Sequence, residues 1–175
     1  MIKEFDFLVI GSGIAGMSFA LKVANKGSVA LICKTSLQEA NTYYAQGGVA
    51  SVTNPIDDFE KHIQDTLIAG DGHCDRAAVE KVVKEAPAQI KELIEWGVKF
   101  DKTASGDFDL HREGGHSEFR ILHHKDNTGF VIQESLNKQI RNHPEIELYE
   151  HYFAIEILTQ HHLGEIVTQH TPNIE

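Results

Sequence analysis

The segment from Phe5 to Lys34, FDFLVIGSGIAGMSFALKVANKGSVALICK, leaves this chain few folds to choose from. An apolar run enters Gly11-Ser12-Gly13-Ile14-Ala15-Gly16, a helical pattern follows, and Val29–Cys33 is a second apolar run. The unbroken hydrophobicity of Phe5–Ile10 suits the centre of a parallel sheet covered on both faces. Ile14, Met17, Leu21 and Ala24 share one helical face, predicting a helix from about 14 to 26 that packs back on that sheet and is closed by Gly27. Such a strand–turn–helix–strand unit, with G-x-G-x-x-G at the turn, is the form that holds a dinucleotide diphosphate. Gly11 permits the tight turn, Gly13 lets the backbone approach the phosphates, and Gly16 lets helix and strand pack closely. The helix start adds unpaired N–H groups and a partial positive charge.

Beyond this unit the pattern alternates between irregular and helical. Thr35 to Pro55 has no clear period. A long irregular segment inside a compact domain is usually functional or disordered. Helices are expected over Asp57–Ala69 and Asp75–Trp96, with Pro87 kinking or breaking the second and Gly97 closing it. His111–Asn127 is irregular again. A helix from about Thr128 to Asn142 should bury Val131, Ile132, Leu136 and Ile140 and stop at Pro144. Ile146–Tyr149 reads as a third parallel strand. Phe153–Leu158 and Glu165–His170 alternate and read as an antiparallel hairpin. A three-stranded parallel sheet with a hairpin just begun is not a natural stopping place, so residues 1–175 are expected to be the N-terminal portion of a larger domain.

Composition narrows the partners. The 175 residues carry a formal charge of −10, which argues against nucleic acid, since phosphate backbones call for clustered Lys and Arg. No apolar run approaches the roughly 18 residues that span a bilayer, so no membrane is expected. Met1-Ile2-Lys3-Glu4 is no signal peptide, and Cys33 and Cys74 share no motif spacing. Both points suit a reducing, cytoplasmic setting, with Cys33 buried in its strand. The 11 histidines fall in no H-E-x-x-H or C-x-x-C pattern, so no metal site is expected.

Three further features bear on chemistry. A plain NAD site ends its second strand in Asp or Glu to grip the ribose, whereas this one ends Cys33-Lys34. Lys34 is left to contact the ribose or phosphate region or to sit in solvent. The glycines of Tyr44-Ala45-Gln46-Gly47-Gly48 can bring backbone N–H groups against a flat ring. A flavin needs such donors near N5 and its pyrimidine edge, and Gln46 can both donate and accept there. In Arg112-Glu113-Gly114-Gly115-His116-Ser117, Glu113 either faces a pocket, where it could hold an ammonium group or act as a base, or is a solvated acid paired with Arg112.

Together these segments resemble the flavoprotein family of succinate dehydrogenase, fumarate reductase and L-aspartate oxidase over nearly the whole chain. The residues carrying the resemblance are Gly11–Gly16, Thr42–Val49, Asp65–Gly72, Arg112–Ser117, and Arg120–His123 with Asp126–Gly129. The L-aspartate oxidase branch is the nearer match. The resemblance implies an α/β, Rossmann-like FAD-binding domain with a parallel sheet, helical insertions and the start of an antiparallel hairpin. It implies FAD held by its diphosphate at Gly11, Ser12, Gly13, Ile14, Ala15 and Gly16, and by its adenosine side at Lys34. The flavin side falls to Asn41, Thr42, Tyr43, Tyr44, Ala45, Gln46, Gly47 and Gly48, and Ala154 joins the cofactor set. Respiratory members place a flavin-linked histidine where this chain has Asn41, which cannot make that bond, so the FAD is expected to be non-covalent. Asn41 also departs from the serine frequent in L-aspartate oxidases. Glu113 stands where the respiratory enzymes tend to carry an apolar residue, and a carboxylate there would select the ammonium of an amino-acid substrate. The implied reaction is oxidation of L-aspartate to iminoaspartate, with oxygen or fumarate reoxidising the flavin and the product feeding quinolinate and NAD biosynthesis. The family's catalytic arginine and substrate histidines fall in sequence beyond Glu175. The alternatives are a fumarate reductase-like flavoprotein and a non-catalytic fragment with little FAD binding.

Overall fold

A computed structural model describes residues 2–159 of the chain. In chain order the elements are β1 (Phe7–Ile10), α1 (Ile14–Val23), β2 (Val29–Cys33), α2 (Asn41–Tyr44), β3 (Val49–Ala50), α3 (Phe59–Ala69), α4 (Arg76–Glu95), β4 (Leu110–His111), β5 (Ile121–Leu122), α5 (Thr128–Asn142) and β6 (Ile146–Glu150).

β1, β2 and β6 form a parallel sheet in the order β1-β2-β6. Its register places Val9 opposite Leu31, and Leu31 opposite Leu148. Side chains alternate across a strand, so these residues share one face. Against that face pack Met17 and Ala20 of α1, Leu136 and Ile140 of α5, and Ile90 and Leu93 of α4. Met17, Leu31 and Leu136 are all 0% exposed, and each such side chain contributes roughly 1.5–3 kcal/mol by leaving water.

The opposite face differs from expectation. Leu8 is 61% exposed and Ile10 50%, so among the described residues β1 is covered on one face only. Continuous hydrophobicity marks a strand built for burial on both sides, but it does not say which segment supplies the second cover. β1 begins at Phe7 rather than Phe5. Helix α1 ends at Val23 with Ala24 as its C-cap, short of Gly27. Ile14, expected in the core, is 36% exposed at the helix start.

Helices α3 and α4 begin where carboxylates cap them. Asp58 accepts from the Lys61 N–H at 2.8 Å, and Asp75 accepts from the Ala77 N–H at 2.8 Å. Each cap satisfies amides the helix leaves unpaired. α4 runs through Pro87 as one 20-residue helix, so of the two expected outcomes, kink or break, the break does not occur. α5 ends at Asn142, just before Pro144.

Both stretches read as irregular contain structure. β3, β5 and β4 form a second, antiparallel sheet in that order, and α2 lies just before it. Its strands are two residues each, too short to show a period in sequence. Phe153–Leu158, expected as the first hairpin strand, is not paired into either sheet, and its expected partner Glu165–His170 lies outside the described residues.

Candidate dinucleotide site

The glycine turn sits at the C-terminal end of β1, where an open parallel sheet leaves room for a ligand. Gly11 has φ +110°, a conformation other residues rarely adopt, and its N–H donates to the Ile32 carbonyl at 2.9 Å. A Cβ on Gly16 would lie 2.1 Å from the Gly11 carbonyl oxygen, so turn and helix close on each other only because that position is glycine. Gly13 has one neighbouring atom within 4 Å of such a Cβ, the Thr42 hydroxyl at 3.7 Å, which leaves its flank open. Among the described residues the amides of Ser12, Gly13 and Ala15 are unpaired, while the Ile14 N–H donates to Thr42 Oγ1 at 3.1 Å. That bond ties the turn to α2.

A groove of about 480 Å³ opens at this turn. Gly11, Ser12, Gly13, Lys34, Asn41, Thr42 and Ala154 all line it, with Ile32, Glu39 and Tyr152 among its other walls. The fold thus brings the residues expected at the diphosphate, the adenosine side and the start of the flavin segment into one cleft. Cys33 also borders the groove but is 5% exposed, and burial pushes its thiol pKa up, so it remains a neutral wall residue.

The rest of the flavin segment leaves the groove. The Tyr43 ring lies edge-on to Phe130 at 5.3 Å, and the Tyr44 hydroxyl donates to Glu39 at 2.9 Å. The Ala45 carbonyl accepts from the Gly129 N–H at 3.0 Å. Gln46 and Gly47 are exposed, and Gly47 has open space at its Cα. Gly48 is a different case: a Cβ there would meet Ile121 at 2.3 Å, so its small size serves the close pairing of β3 with β5.

Gln133 is the residue that pattern reading missed. Fully buried on α5, its Nε2 donates to the Ser12 carbonyl at 3.0 Å and to the Leu37 carbonyl at 2.9 Å. It pins the glycine turn from behind. A glutamine one position after Ile132 and four before the buried Asn137 was the available signal, since a polar pair inside an apolar stripe needs partners.

The Glu113 segment is organised by Arg120, which is 0% exposed. Its Nε donates to Asp57 Oδ2 at 2.8 Å, its Nη2 to Asp57 Oδ1 at 2.8 Å, and its Nη1 to Asp65. Burial opposes its charge, but the two carboxylates outweigh that and raise its pKa above the ordinary value. Asp65 also accepts from the Ser117 N–H and hydroxyl, each at 2.8 Å. Its own burial is outweighed by those bonds and by Arg120, so its pKa is lowered. His62 stands beside His116 with ring centroids 5.7 Å apart, and burial lowers its pKa, with Arg120 adding to the shift. The loop is therefore tied to α3 at Ser117 and turns at Gly115. Glu113 lies exposed on it with no side-chain hydrogen bond or ion pair among the described residues. Arg112 is not its partner; that guanidinium sits over the Phe119 ring, 5.5 Å from its centroid.

These features agree with comparisons to known proteins. The model of a family described as an FAD binding domain matches residues 6–173. An L-aspartate oxidase from Nicotiana tabacum is 48% identical over 165 residues, covering 94% of this chain and 26% of the relative. An L-aspartate oxidase from Vibrio cholerae is 46% identical over 166 residues, covering 92% of this chain and 31% of the relative. The chain thus spans between a quarter and a third of the relatives' length. Among solved structures, a quinol-fumarate reductase with menaquinol matches with TM-score 0.84 at 30% identity, covering 89% of this chain and 27% of that one. A mutant E. coli quinol fumarate reductase matches at TM-score 0.80 and 29% identity, covering 84% of this chain and 26% of that one. The chain belongs to the FAD binding domain family, and its unpaired turn amides and the open flank at Gly13 fit the diphosphate of that cofactor.

Proposed function

We propose that this chain is the diphosphate- and flavin-contacting portion of an enzyme that oxidises L-aspartate to iminoaspartate, feeding quinolinate and NAD biosynthesis. The amides of Ser12, Gly13 and Ala15 hold the diphosphate at the start of α1, whose partial positive charge favours it. Lys34 flanks the adenosine side, Asn41 and Thr42 the flavin side, and Ala154 closes the groove wall. Asn41 makes that contact non-covalent. When bound, FAD supplies the two-electron acceptor, with oxygen or fumarate as the final oxidant. The substrates are small molecules, and the unpaired thiols Cys33 and Cys74 support a cytoplasmic setting.

The observation that carries the substrate is the free carboxylate of Glu113. An acid with no side-chain partner among the described residues, on a loop fastened by Ser117 and Arg120, is available for an ammonium group. Succinate offers no such group. Glu113→Gln in the full-length enzyme should weaken aspartate use, raising KM at least about tenfold while FAD content stays constant. Unaltered aspartate kinetics would return Glu113 to the role of a solvated acid. A fumarate reductase-like activity is the competing reading, and turnover of succinate without turnover of aspartate would establish it instead.

A further inference from the structure

We infer that Asp109, His111 and His123 form a binding site for one zinc-class divalent cation at the base of the β4–β5 hairpin. Spacing in sequence predicted no metal site, because these ligands come from two strands. In β4 and β5, Leu110 pairs with Leu122 and His111 with Ile121. Carrying that register one step further sets Asp109 opposite His123. Alternation places Asp109 and His111 on one face of β4, away from Leu110. One ligand atom from each of the three residues lies within 4.8 Å of the other two. Asp109 Oδ2 is 3.9 Å from His123 Nε2. In a tetrahedral zinc site with bonds of about 2.0–2.2 Å, ligand atoms stand about 3.3–3.5 Å apart. Asp109 and His111 are exposed, and rotation about their side-chain bonds can close that gap.

Burial makes the second, independent case. The His123 side chain is 8% exposed, and neither ring nitrogen has a hydrogen-bond partner. Buried polar groups almost always have one. Its Nδ1 faces Asp101 Oδ2 at 3.5 Å, and its Nε2 faces Asp109. The Lys125 N–H donates to Asp101 Oδ2 at 2.7 Å and fixes that carboxylate beside the ring. A carboxylate behind one imidazole nitrogen, with the other nitrogen facing a second carboxylate, is an arrangement that orients histidine toward a metal. His111 stacks on His123 with ring centroids 3.7 Å apart, so its exposed ring would swing out of that stack to offer a nitrogen to the cation that His123 faces.

Two imidazoles and one carboxylate suit a borderline cation such as Zn²⁺ or Co²⁺; Ca²⁺ and Mg²⁺ prefer oxygen-only shells. The exposed side leaves a fourth position for water. Bound there, the cation fastens β4 to β5, and the loop these strands flank carries Glu113.

The test is isothermal titration of the tag-free, EDTA-stripped protein with Zn²⁺, with Co²⁺ as an absorbance probe. One equivalent should bind, with visible d–d bands for Co²⁺ and no competition from excess Mg²⁺. His111→Ala and Asp109→Asn lie on the surface, so each should leave the circular dichroism of the metal-free protein unchanged. Each should weaken binding at least about tenfold. Absence of saturable one-equivalent binding would overturn the assignment. So would equal affinity in both variants, which would move the cation to other histidines such as His62 and His116.

Discussion

Around the parallel sheet the fully buried side chains are mostly hydrocarbon: Met17, Leu31, Leu136 and Ile140. Beside the small antiparallel sheet the largest fully buried side chain is a guanidinium, that of Arg120. The first region gains stability from each buried carbon and tolerates imperfect fit at modest cost. The second gains little net stability from its ion pairs, because desolvation offsets attraction, yet it loses heavily if one partner is removed. What the polar hub does supply is direction. Three residues on two segments, Asp57, Asp65 and Ser117, are set around one planar group. The scaffold is held by area and the Glu113 loop by geometry.

The contrast can be broken most severely at Arg120. Arg120→Ala should destabilise the protein by about 3–5 kcal/mol in urea unfolding, since it strands the buried Asp57 carboxylate. Replacing Arg120, Asp57 and Asp65 together by Met, Leu and Leu should recover most of that loss. A triple variant as unstable as Arg120→Ala would show that the network contributes to stability directly. In the scaffold, Leu136→Ala should cost about 3 kcal/mol by lost burial and the cavity it leaves, read from the same transitions. Gln133→Leu lies where the two principles meet. It keeps the volume but frees the Ser12 carbonyl, and should weaken FAD binding about tenfold in a fluorescence titration. Undiminished affinity would mean the turn holds its shape without that anchor.

The smallest effect is a pH dependence confined to the polar region. His62 and Asp65 both have lowered pKa values in the folded state. The unfolded chain therefore takes up protons first, and stability falls on acidification. The His62 contribution starts to decline below about pH 6.5 and the Asp65 contribution below about pH 4. Urea midpoints measured at pH 7 and pH 5 should separate for the parent, and His62→Gln should bring them closer. Leu136→Ala should leave the separation unchanged.

How much was legible in sequence divides along the same line. The parallel unit announces itself because periodicity is a property of consecutive residues, and Phe7–Ile10, α1 and β2 supply it. Asp58 and Asp75 start α3 and α4 within a residue or two of expectation. The second sheet was not legible, since strands such as Val49–Ala50 and Ile121–Leu122 exist only through partners far along the chain. For the same reason Gln133, the Arg120 hub and the Asp109–His111–His123 cluster were not anticipated as assembled sites. Each depends on contacts across many residues of sequence, which no local spacing encodes. At Pro87, where sequence left a kink or a break open, packing through Val83, Ile90 and Leu93 keeps the helix continuous.

Gly129 carries a consequence for how such a chain can drift over generations. A methyl group there would come within 2.0 Å of the Thr42 carbonyl oxygen and 2.6 Å of that of Ala45. Helix α5 and the Thr42–Ala45 stretch, which we propose faces the cofactor, consequently share a point with no clearance. Substitutions on either side of it are not independent: a variant of one segment is viable only in backgrounds where the other has already moved. The start of α5 is in this sense an inherited constraint on the cofactor segment, and the two should be exchanged between relatives as a pair.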